Sequence, residues 1–191
     1  MEPIAIDVRA LVQQSVASLY SHLVTRPTGR AVRLAIEAQM GEQLEERTRP
    51  VLSTIDLSEV TVLDYSCADE VVAKLLHRYR RPDRPFDAFF VFRTVHEVHR
   101  ETLEDVLARQ SMAALVESGA GSFTLVGRLP RDARVLWKRL DDGERLRGEA
   151  LARLWTEQEP LLRILMAERL LLELDEGREL ATLAGVARRL R

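Results

Sequence analysis

The side chains best suited to chemistry gather in one short stretch. Asp64, Tyr65, Ser66 and Cys67 are consecutive, and Asp69 and Glu70 follow within one helical turn. Ser66 is a candidate phosphosite, because a helix N-terminus receives an anion through its free amides and its dipole. Cys67 would be an activated thiol at such a position, but the neighbouring acids oppose a thiolate, and small buried filler is the plainer role. Asp64 with Asp69 or Glu70 makes a carboxylate pair, yet nothing nearby indicates a substrate pocket. A second cluster, His96, Glu97, His99 and Glu101, lies in HEVHRE. A zinc-protease helix needs H-E-x-x-H, and here Arg100 stands where the second histidine belongs. These residues read as a solvated first helical turn. No glycine-rich phosphate loop follows the first strand, and no nucleophile is spaced with a base. The sequence therefore predicts no catalytic residue, no cofactor and no metal.

The elements that hold this junction are legible from periodicity. Val51, Ser53, Ile55 and Leu57 alternate with Leu52, Thr54, Asp56 and Ser58, the pattern of a partly buried strand. A turn at Ser58-Glu59 and the apolar Val60, Val62 and Leu63 lead to Asp64. From Ala68 the period turns helical, with Val71, Val72, Leu75, Leu76 and Tyr79 on one face. Ser66 followed by Asp69 resembles a capping box, so helix capping is the structural alternative to phosphorylation at Ser66.

Upstream, Val8, Leu11, Val12, Val16, Leu19 and Leu23 predict an amphipathic helix from about Asp7 to about His22, suited to covering a sheet edge or to a dimer contact. A second helix begins at Thr28-Gly29, with Ala31, Val32, Ala35, Ile36, Met40 and Leu44 as its stripe. Downstream, the helix over Cys67–Arg80 ends in His77, Arg78, Arg80 and Arg81, with Arg84 beyond. Those cations either complement the helix dipole or await an acidic partner. Phe86–Phe92 reads as a buried strand, and Val95–Gln110 as a helix with Val98, Thr102, Leu103, Val106 and Leu107 inward. A strand through Ala113–Val116 or Phe123–Val126 closes the layer. Strands alternating with crossover helices imply parallel pairing and an α/β fold.

The wording DLSEVTVLDYSCADEVVAKL resembles the core of STAS domains, the sulfate-transporter and anti-anti-sigma antagonist superfamily. In that family a strand delivers an Asp-Ser-Ser-Gly-like turn to a helix N-terminus. Asp64 matches the motif's Asp and Ser66 its phosphorylated Ser, whereas Tyr65 replaces the first Ser and Cys67 the Gly. The likeness spans about residues 17–127 and is specific at the junction only. It implies a regulatory protein that binds its partner through Asp64, Tyr65, Ser66, Cys67, Asp69 and Glu70. The implied partner is an ATP-binding anti-sigma or serine-kinase-like protein, with Ser66 phosphorylation releasing it.

Past the linker Arg128-Leu129-Pro130 the character changes. Asp132–Leu140 reads as a helix, and Leu146, Ala150, Leu151 and Leu154 as a second. Thr156 with Glu159 forms a capping box that starts a third, with Pro160 in its first turn. Leu171–Leu174 and Glu179–Leu183 form a hairpin around Gly177, and a last helix runs through Arg189. This order is similar to a winged-helix domain. Its third helix would enter a DNA groove through Arg163 and Arg169, with Arg178 on the wing. Glu157 and Glu159 would then face phosphates, and acids nearly cancel bases across Asp132–Arg191, which suits protein docking better than DNA.

Bulk properties set the outer bounds. The chain has 191 residues, 46% hydrophobic and 30% charged, with a formal net charge of -2. That balance gives no electrostatic case for wholesale binding to nucleic acid or anionic membrane. A lone cysteine excludes an intramolecular disulfide. With no apolar run of membrane length and no leader pattern, a cytoplasmic setting is expected. The combined expectation is an α/β chain of two domains. Residues 1–128 form a STAS-like sheet with crossover helices and an extra N-terminal helix, and 129–191 a small winged-helix-like α+β domain. The expected role is non-catalytic regulation of signalling or transcription by protein binding. The alternative is a DNA-binding regulator whose first domain senses or dimerises.

Overall fold

A computed structural model describes residues 2–7, 22–42, 50–119, 121–143 and 146–190. The chain divides into two compact units, Met1–Arg128 and Leu129–Arg191. The helix expected over about residues 7–22 falls almost wholly on 8–21, outside the described residues.

The first unit is built on a five-stranded sheet of β1 (Glu2–Asp7), β3 (Val51–Asp56), β5 (Ala88–Arg93), β6 (Ala113–Gly119) and β7 (Ser122–Gly127), in that spatial order. The first four are parallel, and β7 returns antiparallel to β6. The edge strand β1 is an element the periodicity did not signal. Parallel strands require crossovers, supplied by α1 (Arg26–Glu42), α2 (65–80) and α3 (Glu97–Arg109). A two-residue parallel pair, β2 (His22–Leu23) with β4 (Val62–Leu63), sits beside the sheet. Because strand order follows chain order, the sheet has no reversal point of the kind that opens a ligand crevice in doubly wound folds.

Residues of one parity on each strand, Val51 and Ile55, Ala88, Phe90 and Phe92, Ala114 and Val116, join the helix-side core. Into that core α2 brings Val71, Val72, Leu75, Leu76 and Tyr79, the stripe read from the sequence, all buried. At the carboxyl ends of the strands, Asp56, Arg93 and Glu117 stand in register. The Arg93 guanidinium donates to both, at 3.1 Å to Asp56 Oδ2 and 3.0 Å to Glu117 Oε2.

Two expectations for α3 are corrected. Val98 is exposed, whereas His99 is buried. The inward stripe of α3 is His99, Leu103, Val106 and Leu107, at offsets of four, three and one, so the start of the helix faces inward one residue later than read.

Cations at and past the end of α2 meet acids within the unit. Arg81 pairs with Asp83 at 2.9 Å, Arg84 with Asp87 at 3.1 Å, and Arg78 reaches Glu37 at 3.8 Å.

The second unit runs α4 (Arg131–Asp142), β8 (Leu146–Arg147), α5 (Gly148–Ala167), β9 (Leu171–Leu174), β10 (Glu179–Thr182) and α6 (Leu183–Arg189). Its sheet is ordered β8-β10-β9 and antiparallel throughout. The hairpin turn is left-handed at Asp175, Glu176 and Gly177. Leu146 belongs to a strand, not to a helix as expected. The second and third expected helices run on as α5, kinked where Gln158 leaves helical geometry (φ -132°, ψ 18°). Pro160 has no N–H and sits in the first turn past the kink. The Thr156–Glu159 capping box does not form. Thr156 Oγ1 instead donates back to the Ala152 carbonyl at 3.0 Å, and Glu159 accepts from Arg163. The last helix is capped by Thr182, whose Oγ1 accepts the Gly185 N–H at 2.9 Å and donates to Asp141 at 2.7 Å.

Candidate functional site

Strand β4 delivers Asp64 in extended conformation (φ -81°, ψ 166°) to the start of α2. The Asp64 N–H is tied to the Leu23 carbonyl at 2.9 Å, which fixes the turn to β2. Its Oδ1 accepts the Cys67 N–H at 2.8 Å. Asp64 is therefore the helix cap, which corrects the expected capping role of Ser66. The Ser66 hydroxyl, one turn position on, donates to the two oxygens of the same carboxylate at 2.9 and 3.2 Å.

Asp64, Tyr65 and Ser66 are each half-buried, so this turn keeps a face toward solvent. The Arg109 guanidinium lies 5.0 Å from the centre of the Tyr65 ring and holds it by a cation–π contact. Cys67 is sealed beneath. Its thiol lies 2.8 Å from the Thr25 carbonyl, and burial first, then the Asp64 carboxylate, pushes its pKa up to about 11. A protonated, enclosed thiol is filler and not a nucleophile. The closeness of α1 explains the seal. A Cβ at Gly29 would lie 2.8 Å from the Cys67 Cα, so only glycine lets α1 cross there.

Asp69 and Glu70 are buried as well. Of the six residues expected to bind a partner, only Asp64, Tyr65 and Ser66 therefore keep exposed surface. The helix also changes type here. Tyr65–Ala68 and Leu75–Arg80 are α-helical, but Asp69–Lys74 between them adopts the wider π turn. All of Cys67–Ala73 is out of solvent.

The two carboxylates are answered by cations from α1. Arg26 donates to Asp69 at 2.7 Å and to Glu70 at 3.4 Å, Arg33 Nε lies 3.5 Å from Glu70, and Lys74 closes on Glu70 from one turn along. Gln110, past the end of α3, donates to Asp69 at 3.2 Å. Burial alone would raise the Glu70 pKa, but Lys74, Arg33 and Arg26 outweigh it and hold the carboxyl below its usual range. The junction is thus a half-exposed turn on an ionic lock that joins three helices.

The histidines form a second polar cluster, at the carboxyl ends of β3 and β5. His99 Nδ1 lies 3.3 Å from Thr94 Oγ1, and the His96 ring packs edge-on at 4.8 Å between centroids while its Nε2 reaches the Ser58 carbonyl at 3.1 Å. Burial, then His96, lowers the His99 pKa, so the ring is neutral at physiological pH. Sequence reasoning took this residue for a solvated one, yet counting back four from Leu103 points to position 99. Among the described residues, no group of three or more metal-ligating side chains converges.

In the second unit, Arg163 is exposed but paired with Glu159 at 2.6 Å, and Arg178 with Asp175 at 3.0 Å within the hairpin turn. Arg169 stands just past α5 in left-handed conformation (φ 61°). Among the described residues, no helix is long and apolar enough to cross a membrane. No family model matches the sequence, and neither a curated protein nor a solved structure matches it.

Proposed function

We propose that this chain is a non-catalytic regulatory protein that binds a protein partner through the Asp64–Tyr65–Ser66 turn, with Ser66 as the switch. The observation that carries the reading is the Ser66 hydroxyl, half-exposed in the first turn of α2 and bonded to the cap carboxylate. Phosphate on this oxygen would bring nearly two negative charges within bonding distance of Asp64 while facing the free amides of the helix start. The bond between Ser66 and Asp64 would be lost and the local face would turn strongly anionic. The ionic lock beneath would keep α2 in place, so the surface changes while the fold stays.

The STAS resemblance is one source of this reading, and it suggests an ATP-binding anti-sigma or serine-kinase-like partner. The test is affinity capture from the native host with wild-type, Ser66→Ala and Ser66→Asp chains. One protein retained by the first two and lost by the third supports the switch. Equal capture by all three ends it.

A second reading has its own observation. The order helix, strand, two helical halves and hairpin, with sheet order β8-β10-β9, fits a winged-helix arrangement, and that suggests DNA binding. The pairing of Arg163 and Arg178 with acids on their own elements weighs against it. A salt-dependent gel shift abolished by Arg163→Ala, Arg169→Ala and Arg178→Ala together would reverse the preference.

A further inference from the structure

The second unit carries an open groove of about 570 Å³ along α4, β8 and the first half of α5, away from the paired arginines of the DNA reading. Leu140, Leu146 and Leu154 line it with aliphatic carbon, and Arg139, Arg147 and Arg153 stand around them. Ala150, Arg153, Leu154 and Glu157 form a helical stripe along the first half of α5, with Leu146 contributed by β8 and Leu140 by α4.

The three arginines are exposed, but they are not equivalent. Arg147 is anchored, its Nε donating to the buried Glu179 at 2.9 Å. Arg139 and Arg153 pair with no acid among the described residues. By contrast, Arg163 and Arg178 are paired elsewhere in this unit. Cations that no described acid answers, standing beside an apolar floor, are complementary to a segment that is itself apolar along one line and acidic along its flanks.

We propose that this groove docks an acidic amphipathic helix of a partner protein. Its leucine-type side chains would fill the floor and its carboxylates would pair with Arg139 and Arg153. The floor decides between the two polyanions that such a rim would attract. A nucleic-acid backbone gains its contacts from phosphates and sugars and has no aliphatic side chains to place on Leu140, Leu146 and Leu154, whereas helix-in-groove docking uses such anchors. Glu157 closes one end of the stripe and disfavours a uniformly acidic ligand there, which sets a direction for the bound helix. This site lies in the second unit and does not rest on the reading of Ser66.

The test is fluorescence anisotropy with the full chain and three labelled probes. The first is a helical peptide with leucines at i, i+3, i+4 and i+7 flanked by glutamates. The second is the same peptide with leucines changed to serine, and the third a duplex DNA of similar length. Binding of the first probe alone is expected, weakening with salt and at least about tenfold in Arg139→Glu/Arg153→Glu. Both positions are exposed, and a circular-dichroism melt matching wild type confirms that the variant is folded. Leu146→Asp, at a half-buried position of the floor, leaves the rim and should abolish the same binding with a melt that still matches wild type, and Arg163→Glu should leave it unchanged. Absence of peptide binding, equal binding by the double variant, or serine-peptide binding as tight as the leucine peptide overturns the proposal. DNA binding lost in the double variant overturns it in favour of a nucleic-acid site.

Discussion

Replacing Glu70 by Gln tests whether the buried carboxylate holds the first unit together. The change keeps shape and one hydrogen-bonding oxygen but removes the charge that Lys74, Arg33 and Arg26 share. Breaking one side of a fully buried ion pair costs about 3–5 kcal/mol, because the other charge is stranded. Here the stranding is partial. Side chains of Lys74 and Arg26 are 46% and 51% exposed and recover water, while Arg33, at 16%, keeps Glu37 as a partner at 2.9 Å. The expected loss is therefore about 2 kcal/mol, below the fully buried range. In a unit of this size that lowers the melting midpoint by roughly 8 °C.

Urea unfolding followed by far-UV circular dichroism would read it. Both tryptophans, Trp137 and Trp155, lie in the second unit, so their emission follows that unit separately. Acid adds a second readout. Glu70 binds its proton more weakly when folded than when unfolded, so its contribution is full above about pH 4.5 and fades as pH falls through the lowered folded value. The Gln variant should lose that part of the acid dependence. A variant within about 0.5 kcal/mol of wild type, with a parallel pH profile, would refute the view that this cluster locks α1 onto α2.

Three further outcomes follow from the same geometry. Gly29→Ala places a methyl 2.8 Å from the Cys67 backbone and should cost about 2 kcal/mol, with faster hydrogen exchange across residues 65–80; an unchanged melt would show that α1 gives way freely. Cys67 should stay unreactive toward a chromogenic disulfide reagent at pH 8 and react fully once denatured, as burial and a pKa of about 11 require; labelling of the folded chain at the rate of a free thiol would contradict its enclosure. His99 is held neutral by burial, so the unfolded chain takes its proton first. Stability should be full above about pH 6.5 and fall as pH drops from there toward the lowered folded value, and His99→Gln should remove that step.

The layer architecture was legible because period and length are local properties. Strand β3 and the inward face of α2 could be read from side-chain alternation and a helical stripe. Strand β1 could not, since Glu2–Asp7 is an edge strand whose place is set by pairing with residues 51–56, far along the chain. The α5 kink was half legible. Pro160 announced a helix start, but Thr156 spends its hydroxyl on the preceding turn, because the backbone stays helical up to Gln158.

At the candidate site the misreading has a definite cause. A run of Ser-Cys-Ala-Asp-Glu at a helix start reads as solvated, because isolated carboxylates are too costly to bury. What reverses that cost is supplied from elsewhere: Arg26 is 43 residues away from Asp69, and Arg33 meets Glu70 only once α1 has crossed at Gly29. Asp69 and Glu70 sit side by side where the π turn begins, and both meet those cations there. Burial and neutralisation thus arise together, and neither is written in the local sequence. The same logic explains why Ser66 keeps its exposure. It bonds backward to Asp64 and needs no partner from α1. The hydroxyl that remains at the surface is the one whose partner is local.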